Sequence, residues 1–585
     1  MEKKMTQPKT LHMKPRPMTS AWTLCLFLFL GSLLFPGLSG GTAHGENIIK
    51  IGLPQEPKTL NIWAATDVWS NKVLNQLLQP LYIREPKGLK LIPWLAAEDP
   101  IYDPDTLSYT IKIRPSKWSD GSEFTSEDVA FTGHVIKTFK VPRFISNWDF
   151  IKKIETPNKH TVRFFLSEPK ALFLSRTLTT PIVQKEQWAP VCARAEKEAK
   201  PVSVLLKESG IRPISSGPFT FKKWEKGDHL LLEKNRHFFG SGKEISGFKL
   251  GPYVNGIRFR FVGDKDAAVL GLFTGSIDMF WWGLQESYIH DLESDPNIKV
   301  FTNEKSALYY VGFNVRKKPF NDLYFRKAIA LSMDKPFILK RIVQGYAVVS
   351  NSIIPSSNTF WYDPNVPKYG EGFTREQRIR KAYKLLREVG YTWELPPVGA
   401  DGKVEKGQGI RFPNGAPMET LTILTPPAEY DPKRAMVGNM VREWLSMLGI
   451  PVAAKSLSLG YLLPKVKKVH DFDFFVLGYG NLSLDPDYLR NFFLSTNNKP
   501  NGWNTSGYNN PAFDQIANAS ADALDINKRR ELIWKMQDII MEDVPWIPLY
   551  SPKVTEGVRQ DRFTGWIEMV GGIGNRWSFC CIKPK

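Results

Sequence analysis

The stretch that decides the fold is LTILTPPAEYDPKRAMVGNMVREWLSMLGIPVAAK, residues 421–455. It begins with LTILT, a short apolar run of the kind found in buried strands. A helix is predicted from about Arg434 to Leu448, ending at Gly449, and IPVAAK supplies a second strand. Strand, helix and strand in this order form the unit of a sheet with crossover helices. Another buried strand, DFDFFVLGYG, follows at residues 471–480. The sequence therefore predicts an α/β fold.

The rest of the chain adds strands and capped helices on either side of this unit. SYTIKIR alternates so that Tyr109, Ile111 and Ile113 share one face, as in a half-buried strand. Thr125 and Asp128 have the spacing of a capping box and predict a helix start. Further strands are predicted at 48–53, 160–166 and 256–262, and further helices at about 70–78, 264–274, 322–333 and 375–389.

Length and composition indicate a multi-lobed globular protein. The 585 residues exceed what one core usually supports, so two or three lobes are expected. Hydrophobic residues make up 42% and charged residues 23%, which is ordinary for such a protein. The aromatic share of 12%, with 18 Trp, is high. It favours a protein that lines a cavity with rings as well as filling its cores.

The N-terminus has the features of an export signal. Lysines and arginines precede the apolar run AWTLCLFLFLGSLLF, residues 21–35, and small residues follow at 43–45. We predict a signal peptide at residues 1–45, cleavage before Glu46 and a periplasmic protein. An uncleaved anchor is the alternative, but the run is shorter than the ~20 residues that a bilayer core requires. Leu24 stands before Cys25 where a lipoprotein signal has a small residue, so no lipid anchor is expected.

The formal charge of +19 raises the question of a nucleic-acid partner. Lysines and arginines are scattered among acidic residues, without the basic clusters that a nucleic-acid binder shows, so this partner is not expected. A basic surface on an exported protein more often reflects solubility or attraction to anionic surfaces. Cys192 can pair with Cys580 or Cys581 in an oxidising compartment, or all three can stay reduced, and the sequence leaves this open.

Residues for catalysis or for a protein-supplied metal cage are not apparent. No two histidines stand at i and i+4, and HExxH, GxSxG and phosphate-loop motifs are absent from the sequence. Asp485 and Asp487 are paired carboxylates beside aromatic rings, which raises acid/base catalysis on a sugar as one interpretation. Residues two apart at a helix start point in divergent directions, whereas a glycosidase needs facing carboxyls. Asp485 before Pro486 instead predicts a helix N-cap. We therefore expect neither an enzyme nor a cofactor.

Seven segments along the chain after the predicted signal carry a resemblance to a known family. They are PKTLN (57–61), WSDGSEFTSEDVAF (118–131), SSGPFTFKKWEKGDHLLLEKN (215–235), FTGSIDM (273–279), GFNVRKKPFNDLYFRKAIALSMDK (312–335), KLLREVGY (384–391) and NTSGYNNPAFDQI (504–516). Taken together and in this order, they resemble the family-5 extracellular solute-binding proteins, the dipeptide-, oligopeptide- and nickel-binding receptors of ABC importers.

The resemblance implies a type II periplasmic binding protein fold, with two α/β lobes joined by a hinge and an additional inserted domain. The implied boundaries are 46–86, 212–306 and 550–585 for lobe I, 87–211 for the inserted domain and 307–549 for lobe II. The implied function is to capture oligopeptides or dipeptides by lobe closure and deliver them to an ABC permease in the inner membrane, as a monomer. An oligosaccharide or a metal chelate is the alternative ligand, and a hydrolase on this scaffold is the alternative of a different class.

In peptide-binding members of the family, the strand and loop corresponding to LGYGNLS line the cleft. The resemblance therefore makes Tyr479, Gly480, Asn481, Leu482 and Ser483 candidate ligand contacts. Those relatives often hold the peptide ammonium with an aspartate at the position of Leu482, which carries no charge here.

Other candidates come from the N-terminal segment and from aromatic residues. Asp67 is the candidate replacement for the missing ammonium partner, with a ligand that lacks this amine as the alternative. Arg434 is a candidate for a ligand carboxylate. Aromatic cleft walls are predicted at Trp63, Trp69, Trp281 and Trp282, with core packing as the alternative for each.

Overall fold

The computed structural model describes residues 47–585. The predicted signal peptide, its cleavage position and Cys25 lie outside these described residues. Within them, no helix is long and apolar enough to cross a membrane.

A single long strand, Trp546–Arg559, joins two halves of a twelve-stranded sheet, and we call it the crossing strand. Its residues 546–552 pair with Leu308–Phe313 and Ala347–Val349. Its residues 553–559 pair with Ile298–Glu304, and Val558 also pairs with Met279. The chain passes between the halves a second time at residues 305–307, which connect Ile298–Glu304 to Leu308–Phe313.

Helices and strands alternate in both halves, as the sequence predicts. Along the path of the sheet the strands are Phe219–Glu225, His229–Lys234, Gly256–Phe261, Ile48–Leu53, Met279–Phe280, Trp546–Arg559, Leu308–Phe313, Phe474–Tyr479, Leu421–Thr425 and Val452–Ser456. Parallel pairs join Ile48–Leu53 to Gly256–Phe261 and Met279–Phe280, and Leu421–Thr425 to Val452–Ser456 and Phe474–Tyr479. The strand, helix and strand predicted from residues 421–455 are confirmed.

The helices begin and end where capping chemistry places them. Thr125 and Asp128 form the predicted capping box of Ser126–Thr138. The Asp431 side chain caps Pro432–Met447, and Gly275 ends Lys265–Thr274 in the left-handed conformation that suits glycine. The other helices are Val68–Leu77, Lys185–Ala195, Pro201–Lys207, Ile289–Ser294, Leu323–Ser332, Lys335–Phe337, Arg375–Glu388, Leu459–Pro464, Tyr488–Phe493, Pro511–Asp522, Ile526–Asp543 and Arg576–Cys581.

A separate four-stranded antiparallel sheet lies in the segment predicted as the inserted domain. Its order is Ile101–Asp103, Ser108–Lys112, Thr161–Leu166 and Ile151–Asn158. Tyr109, Ile111 and Ile113 are buried together, as their alternation predicts. Two-stranded pairs complete the strands: Tyr82–Arg84 with Leu91–Pro93, Ser116–Lys117 with Glu123–Phe124, Glu244–Ile245 with Phe248–Lys249, and Phe563–Thr564 with Lys583–Pro584.

The second half of the sheet is buried on both faces. Strand Phe474–Tyr479 contributes Phe474 and Val476 to one apolar core and Phe475 and Leu477 to another. A strand covered on both sides is a continuous apolar run rather than an alternating one, which explains the sequence DFDFFVLG. The first half and the four-stranded sheet share one further core. The fold is therefore α/β, with two lobes that meet at the crossing strand and an additional inserted domain.

The structure decides whether Cys192 pairs with Cys580 or Cys581. Cys192, Cys580 and Cys581 are buried and unpaired, so no disulfide links them.

Candidate functional site

A cavity of about 790 Å³ lies where the inserted segment, the first helix and the loop after strand Phe474–Tyr479 meet, and we call it the central cavity. This volume falls in the range of roughly 300–1,000 Å³ typical of small-molecule sites. Its lining comes from six parts of the chain: Asn75, Gln76, Pro80, Tyr82, Ile83 and Arg84; Arg143, Phe144 and Asn147; Ser175, Arg176, Thr179, Thr180 and Pro181; Trp281; Asn481, Leu482, Ser483 and Leu484; and Gly574, Asn575 and Arg576.

The loop at residues 481–484, here called the cavity loop, is fixed to the point where the chain passes between the halves. The backbone N–H of Leu482 donates to the Ser306 carbonyl at 2.6 Å. The neighbouring Lys305 carbonyl accepts from the Ser551 hydroxyl of the crossing strand at 2.9 Å. Any ligand that contacts the cavity loop is therefore close to both connections between the halves.

Asp485, directly after the cavity loop, forms a buried ion pair. Its two carboxylate oxygens accept from Arg529 Nη1 and Nη2 at 2.8 and 2.9 Å, and one also accepts from the Ser175 hydroxyl at 2.6 Å. The predicted helix N-cap at Asp485 is wrong, because the helix begins at Tyr488 and the Asp485 carboxylate accepts the Asp487 N–H at 3.1 Å in the preceding turn. The pair with Arg529 joins the cavity loop to helix Ile526–Asp543, and Ser175 joins both to the inserted segment.

Trp281 forms one wall of the central cavity. It is 5% exposed, and the Lys72 ammonium lies 3.8 Å from its ring centroid, a cation–π contact. Gly574 packs so closely against the indole that a Cβ there would overlap the ring. The tail at residues 574–576 can therefore approach the wall only because position 574 is glycine.

A buried acid and a half-buried base lie near this wall. Glu556, on the crossing strand, is 2% exposed and accepts the Ile573 N–H at 2.6 Å. Burial raises the pKa of Glu556 to about 7, against the opposing effect of Lys72. Burial likewise lowers the pKa of Lys72 to about 7, against the opposing effect of Glu556. Both groups can therefore change charge near neutral pH.

Four predicted ligand contacts lie in the central cavity: Trp281, Asn481, Leu482 and Ser483. The lining does not include Trp63, Asp67, Trp69, Trp282, Arg434, Tyr479 or Gly480. Trp63 is a core residue, 1% exposed and packed edge-on against Phe144 and Trp188. Core packing, the alternative for that ring, is what the structure shows.

Trp69 and Trp282 form an aromatic pair on the first half. Their ring centroids are 4.9 Å apart, and Trp282 is 41% exposed while Trp69 is 8% exposed. Asp67 caps helix Val68–Leu77, and its carboxylate oxygens accept from the Ser70 N–H at 2.8 Å and the Ser70 hydroxyl at 2.6 Å. The Asp67 carboxylate is thus already engaged within its own helix.

Arg434 and Tyr479 are held by their own neighbours in the second half. Arg434 donates from Nε to Asp431 at 2.7 Å, and its guanidinium lies 5.6 Å from the Tyr309 ring centroid. Tyr479 stacks on Phe492 at 4.7 Å, and burial raises its pKa to about 12. Gly480, which follows it, is exposed. These residues form the end of strand Phe474–Tyr479 and its surroundings, upstream of the cavity loop.

Sequence reasoning missed the four arginines of the lining: Arg84, Arg143, Arg176 and Arg576. They are far apart in the chain, and the fold alone brings them together. The formal charge of +19 is the only signal in the sequence that points toward them. The lining contains no Asp, Glu or Lys.

Two α/β halves that share a crossing strand, with a cavity beside both connections, define the class of two-lobed periplasmic binding proteins. Residues 90–501 match the family described as bacterial extracellular solute-binding proteins, family 5. The chain belongs to this family. The predicted family resemblance and fold class are confirmed.

Two curated relatives are similar over most of their length. The oligopeptide-binding protein AppA of Bacillus subtilis is 28% identical over 528 residues, 88% of each chain. The glutathione-binding protein GsiB of Shigella flexneri is 24% identical over 546 residues, 91% of this chain and 94% of its own.

Solved structures share the fold at lower identity. HbpA2 from Haemophilus parasuis matches with a TM-score of 0.73 at 19% identity, covering 92% of this chain and 100% of that one. CtaP from Listeria monocytogenes matches with a TM-score of 0.72 at 21% identity, covering 92% and 99%.

Proposed function

We propose that this protein captures peptides in the central cavity and delivers them to an ABC permease in the inner membrane. The observation that carries the proposal is the position of the cavity loop. It joins the ligand-sized cavity to Ser306, at one of the two connections between the halves. A ligand held there can bias closure of the lobes, the hinge motion by which such receptors respond to ligand.

Peptide is the ligand class that the relatives favour. The similar proteins include an oligopeptide-binding and a glutathione-binding protein, and the similar structure of DppA from Helicobacter pylori holds the peptide STSA. The end of strand Phe474–Tyr479 leads into the cavity loop, where an extended peptide can add to the backbone as a further strand.

The proposed domain boundaries follow the two connections. Lobe I comprises 46–86, 212–306 and 550–585, the inserted domain 87–211, and lobe II 307–549. Lys433, in helix Pro432–Met447, forms an ion pair with Glu286 at 2.5 Å, between one half and the other. This contact is available to stabilise the arrangement of the lobes that the structure shows.

The proposed biological setting is the periplasm, reached through a signal peptide at residues 1–45 that is cleaved and carries no lipid. We propose a monomer that binds and releases its ligand unchanged and is not an enzyme. Incubation of the protein with a bound peptide, followed by chromatography of the peptide, should return it intact. Cleavage products that scale with protein concentration would favour a hydrolase.

Native mass spectrometry of the protein purified from its own periplasm tests the ligand class. The expected result is a complex whose mass excess corresponds to one or more peptides. A sugar or a metal chelate as the carried ligand would overturn the peptide proposal and favour the alternative receptor. Adding peptide to the ligand-free protein should also quench tryptophan fluorescence, and Trp281→Phe should reduce that quenching because Trp281 lines the cavity.

A further inference from the structure

The charge of the central cavity is one-sided. Arg84, Arg143, Arg176 and Arg576, the four cavity arginines, line it together with neutral side chains only. We propose that the cavity selects acidic peptides, whose side-chain and terminal carboxylates pair with these arginines. This inference rests on the proposed function and names its ligand class.

The four cavity arginines have few protein acceptors. A guanidinium carries five N–H donors. Arg84 donates to the Leu89 carbonyl at 2.8 Å, and Arg576 to the Asn75 carbonyl at 3.4 Å. The Nε of Arg576 is buried without an acceptor. Donors are therefore left over at the cavity, where a ligand can take them.

The other two cavity arginines show the same lack of anionic partners. Arg143 donates to the Ile62 carbonyl at 3.0 Å and to the Asn71 side chain, both of which are neutral groups. Arg176 has no side-chain hydrogen bond to any described residue. Among the described residues, it is the one cavity arginine whose guanidinium has no hydrogen-bond acceptor.

Several arginines elsewhere in residues 47–585 form ion pairs of a kind that the four cavity arginines do not. Arg163, Arg378, Arg490, Arg529 and Arg559 each form an ion pair with an aspartate at 3.1 Å or less. None of the four cavity arginines has such a pair within 4.0 Å among the described residues. Arginines without an ion pair also occur elsewhere among the described residues, Arg236 and Arg326 for example, so what distinguishes this cavity is that four of them line it together and no carboxylate does.

The two carboxylates whose charges act on these arginines, Asp485 on Arg84 and Asp67 on Arg143, are already engaged. Asp485 is bonded by Arg529 and Ser175, and Asp67 by Ser70. Four partly buried cations that face one cavity repel one another, and the low local dielectric strengthens that repulsion. A ligand with carboxylates removes the repulsion and gains charge-assisted hydrogen bonds, for which the planar guanidinium is well matched.

The neutral part of the lining favours a peptide over a simple anion such as phosphate. Oε1 of Gln76 is buried and has no donor among the described residues. Asn75, Asn147 and Asn481 add amide groups to the lining. A peptide supplies N–H donors for Gln76 as well as carboxylates for the arginines, whereas phosphate at neutral pH offers chiefly acceptor oxygens.

The test compares two tripeptides of nearly the same shape, Glu-Ala-Glu and Gln-Ala-Gln, by isothermal titration calorimetry on the ligand-free protein. The acidic peptide should bind at least about ten-fold more tightly, which corresponds to about 1.4 kcal/mol. Inorganic phosphate is the third probe and should bind far more weakly than Glu-Ala-Glu.

Arg176→Gln is the variant of choice, because that side chain forms no hydrogen bond or ion pair with the described residues. It should weaken Glu-Ala-Glu by about ten-fold and leave Gln-Ala-Gln within about two-fold. Arg176→Lys, which keeps the charge but not the planar fork, should restore part of the affinity. Arg236→Gln is the matched control, since Arg236 is exposed and outside the cavity. Thermal unfolding of each variant checks that the fold is intact.

The outcomes separate this inference from the proposed function. Equal affinity for the acidic and the neutral peptide, or an Arg176→Gln variant that binds both as the wild type does, would overturn the acidic selectivity and leave peptide capture standing. Phosphate binding as tight as that of Glu-Ala-Glu would also overturn it in favour of a simple oxyanion site. If neither tripeptide nor any longer peptide bound, the proposed function itself would fail.

Discussion

Two sets of buried charge lie side by side in this protein and differ in one respect. Asp485 and Arg529 neutralise each other: each side chain is 2% exposed, and two parallel hydrogen bonds join them. None of the four cavity arginines, Arg84 among them, forms an ion pair within 4.0 Å with a carboxylate of the described residues. A buried pair is part of the internal structure, whereas a cluster of like charges around a cavity is complementary to something outside the chain.

The pKa values express the same difference. Burial by itself would raise the pKa of Asp485, but the charge and hydrogen bonds of Arg529, with that of Ser175, outweigh it and hold the pKa well below its ordinary value. No such partner acts on Arg576, and burial lowers its pKa to about 10. The Asp485–Arg529 pair stabilises the charged form of Asp485, whereas the surroundings of Arg576 destabilise its charged form.

Removing one side of the pair should have the largest effect of all. Asp485→Ala leaves the Arg529 charge buried and alone, for which a loss of about 3–5 kcal/mol in the free energy of unfolding is expected. Urea denaturation of the wild type and the variant measures this loss.

Asp487→Ala is the control two residues away. Asp487 pairs with Arg490 at 3.1 Å in a more exposed setting, and its loss should cost about 1 kcal/mol or less. Because the folded-state pKa of Asp485 is depressed, its contribution is present above the ordinary aspartate pKa of 3.8 and disappears as the pH falls through the folded-state value. Equal losses in the two variants would contradict a structural role for the Asp485 pair.

The sequence predicted the fold well because local rules and tertiary packing agree there. The strand at residues 421–425, the capping box at Thr125 and the helix end at Gly275 all follow from periodicity and capping. The helix N-cap predicted at Asp485 is wrong because tertiary contacts override the local rule. Asp-Pro satisfies the local rule for a helix start, but Arg529, 44 residues away, and Ser175, 310 residues away, take the carboxylate instead.

The site was predicted only where one segment carries it. Residues 481–483 and Trp281 line the cavity. The first three belong to the loop that the family resemblance implies as a cleft wall, and Trp281 stands two residues after the family-like segment 273–279. Arg84, Arg143, Arg176 and Arg576 meet only after folding, so no spacing in the sequence could show them. Rings such as Trp63 have the same composition signal whether they line a cavity or fill a core, and only packing decides between the two.

Salt should sharpen the contrast between the paired and unpaired charges. Raising NaCl from about 20 mM to about 500 mM shortens the screening length and should weaken binding of Glu-Ala-Glu by about ten-fold. The stability difference between wild type and Asp485→Ala should change little, because a buried pair is screened much less. Calorimetry in the two salts measures the first effect and urea denaturation the second. A peptide affinity independent of salt would show that the four cavity arginines do not contact it.

Glu556 and Lys72 form an intermediate case: Glu556 is buried, Lys72 is half-buried, and no ion pair within 4.0 Å joins them. The folded-state pKa of Glu556 is raised from 4.5 to about 7, so its contribution to stability is present below pH 4.5 and is lost as the pH rises toward 7. Lys72, with a lowered pKa, acts in the opposite sense, losing its contribution as the pH falls from 10.5 toward 7.

Glu556→Gln should therefore remove the decline in stability between about pH 5 and pH 7, a change of the order of 1 kcal/mol. The amide keeps an oxygen that can accept the Ile573 N–H, so the geometry is preserved. Urea denaturation at several pH values compares the two proteins. If the stability of the variant varied with pH as that of the wild type does, a group other than Glu556 would be responsible for the pH dependence.

Acetylating the amino terminus of the ligand should have the smallest effect. Leu482 is 5% exposed and uncharged at the position where the family resemblance implies an aspartate, and the Asp67 carboxylate accepts two hydrogen bonds from Ser70. Acetyl-Glu-Ala-Glu should thus bind within about two-fold of the free tripeptide, while amidation of its carboxyl terminus, which removes an anion from a cationic cavity, should weaken binding further. A loss of about ten-fold or more on acetylation, about 1.4 kcal/mol, would reveal an ammonium partner elsewhere. Acetylation removes one positive charge from the peptide, and amidation removes one negative charge. The ratio of the two dissociation constants therefore measures whether the cavity prefers anionic groups.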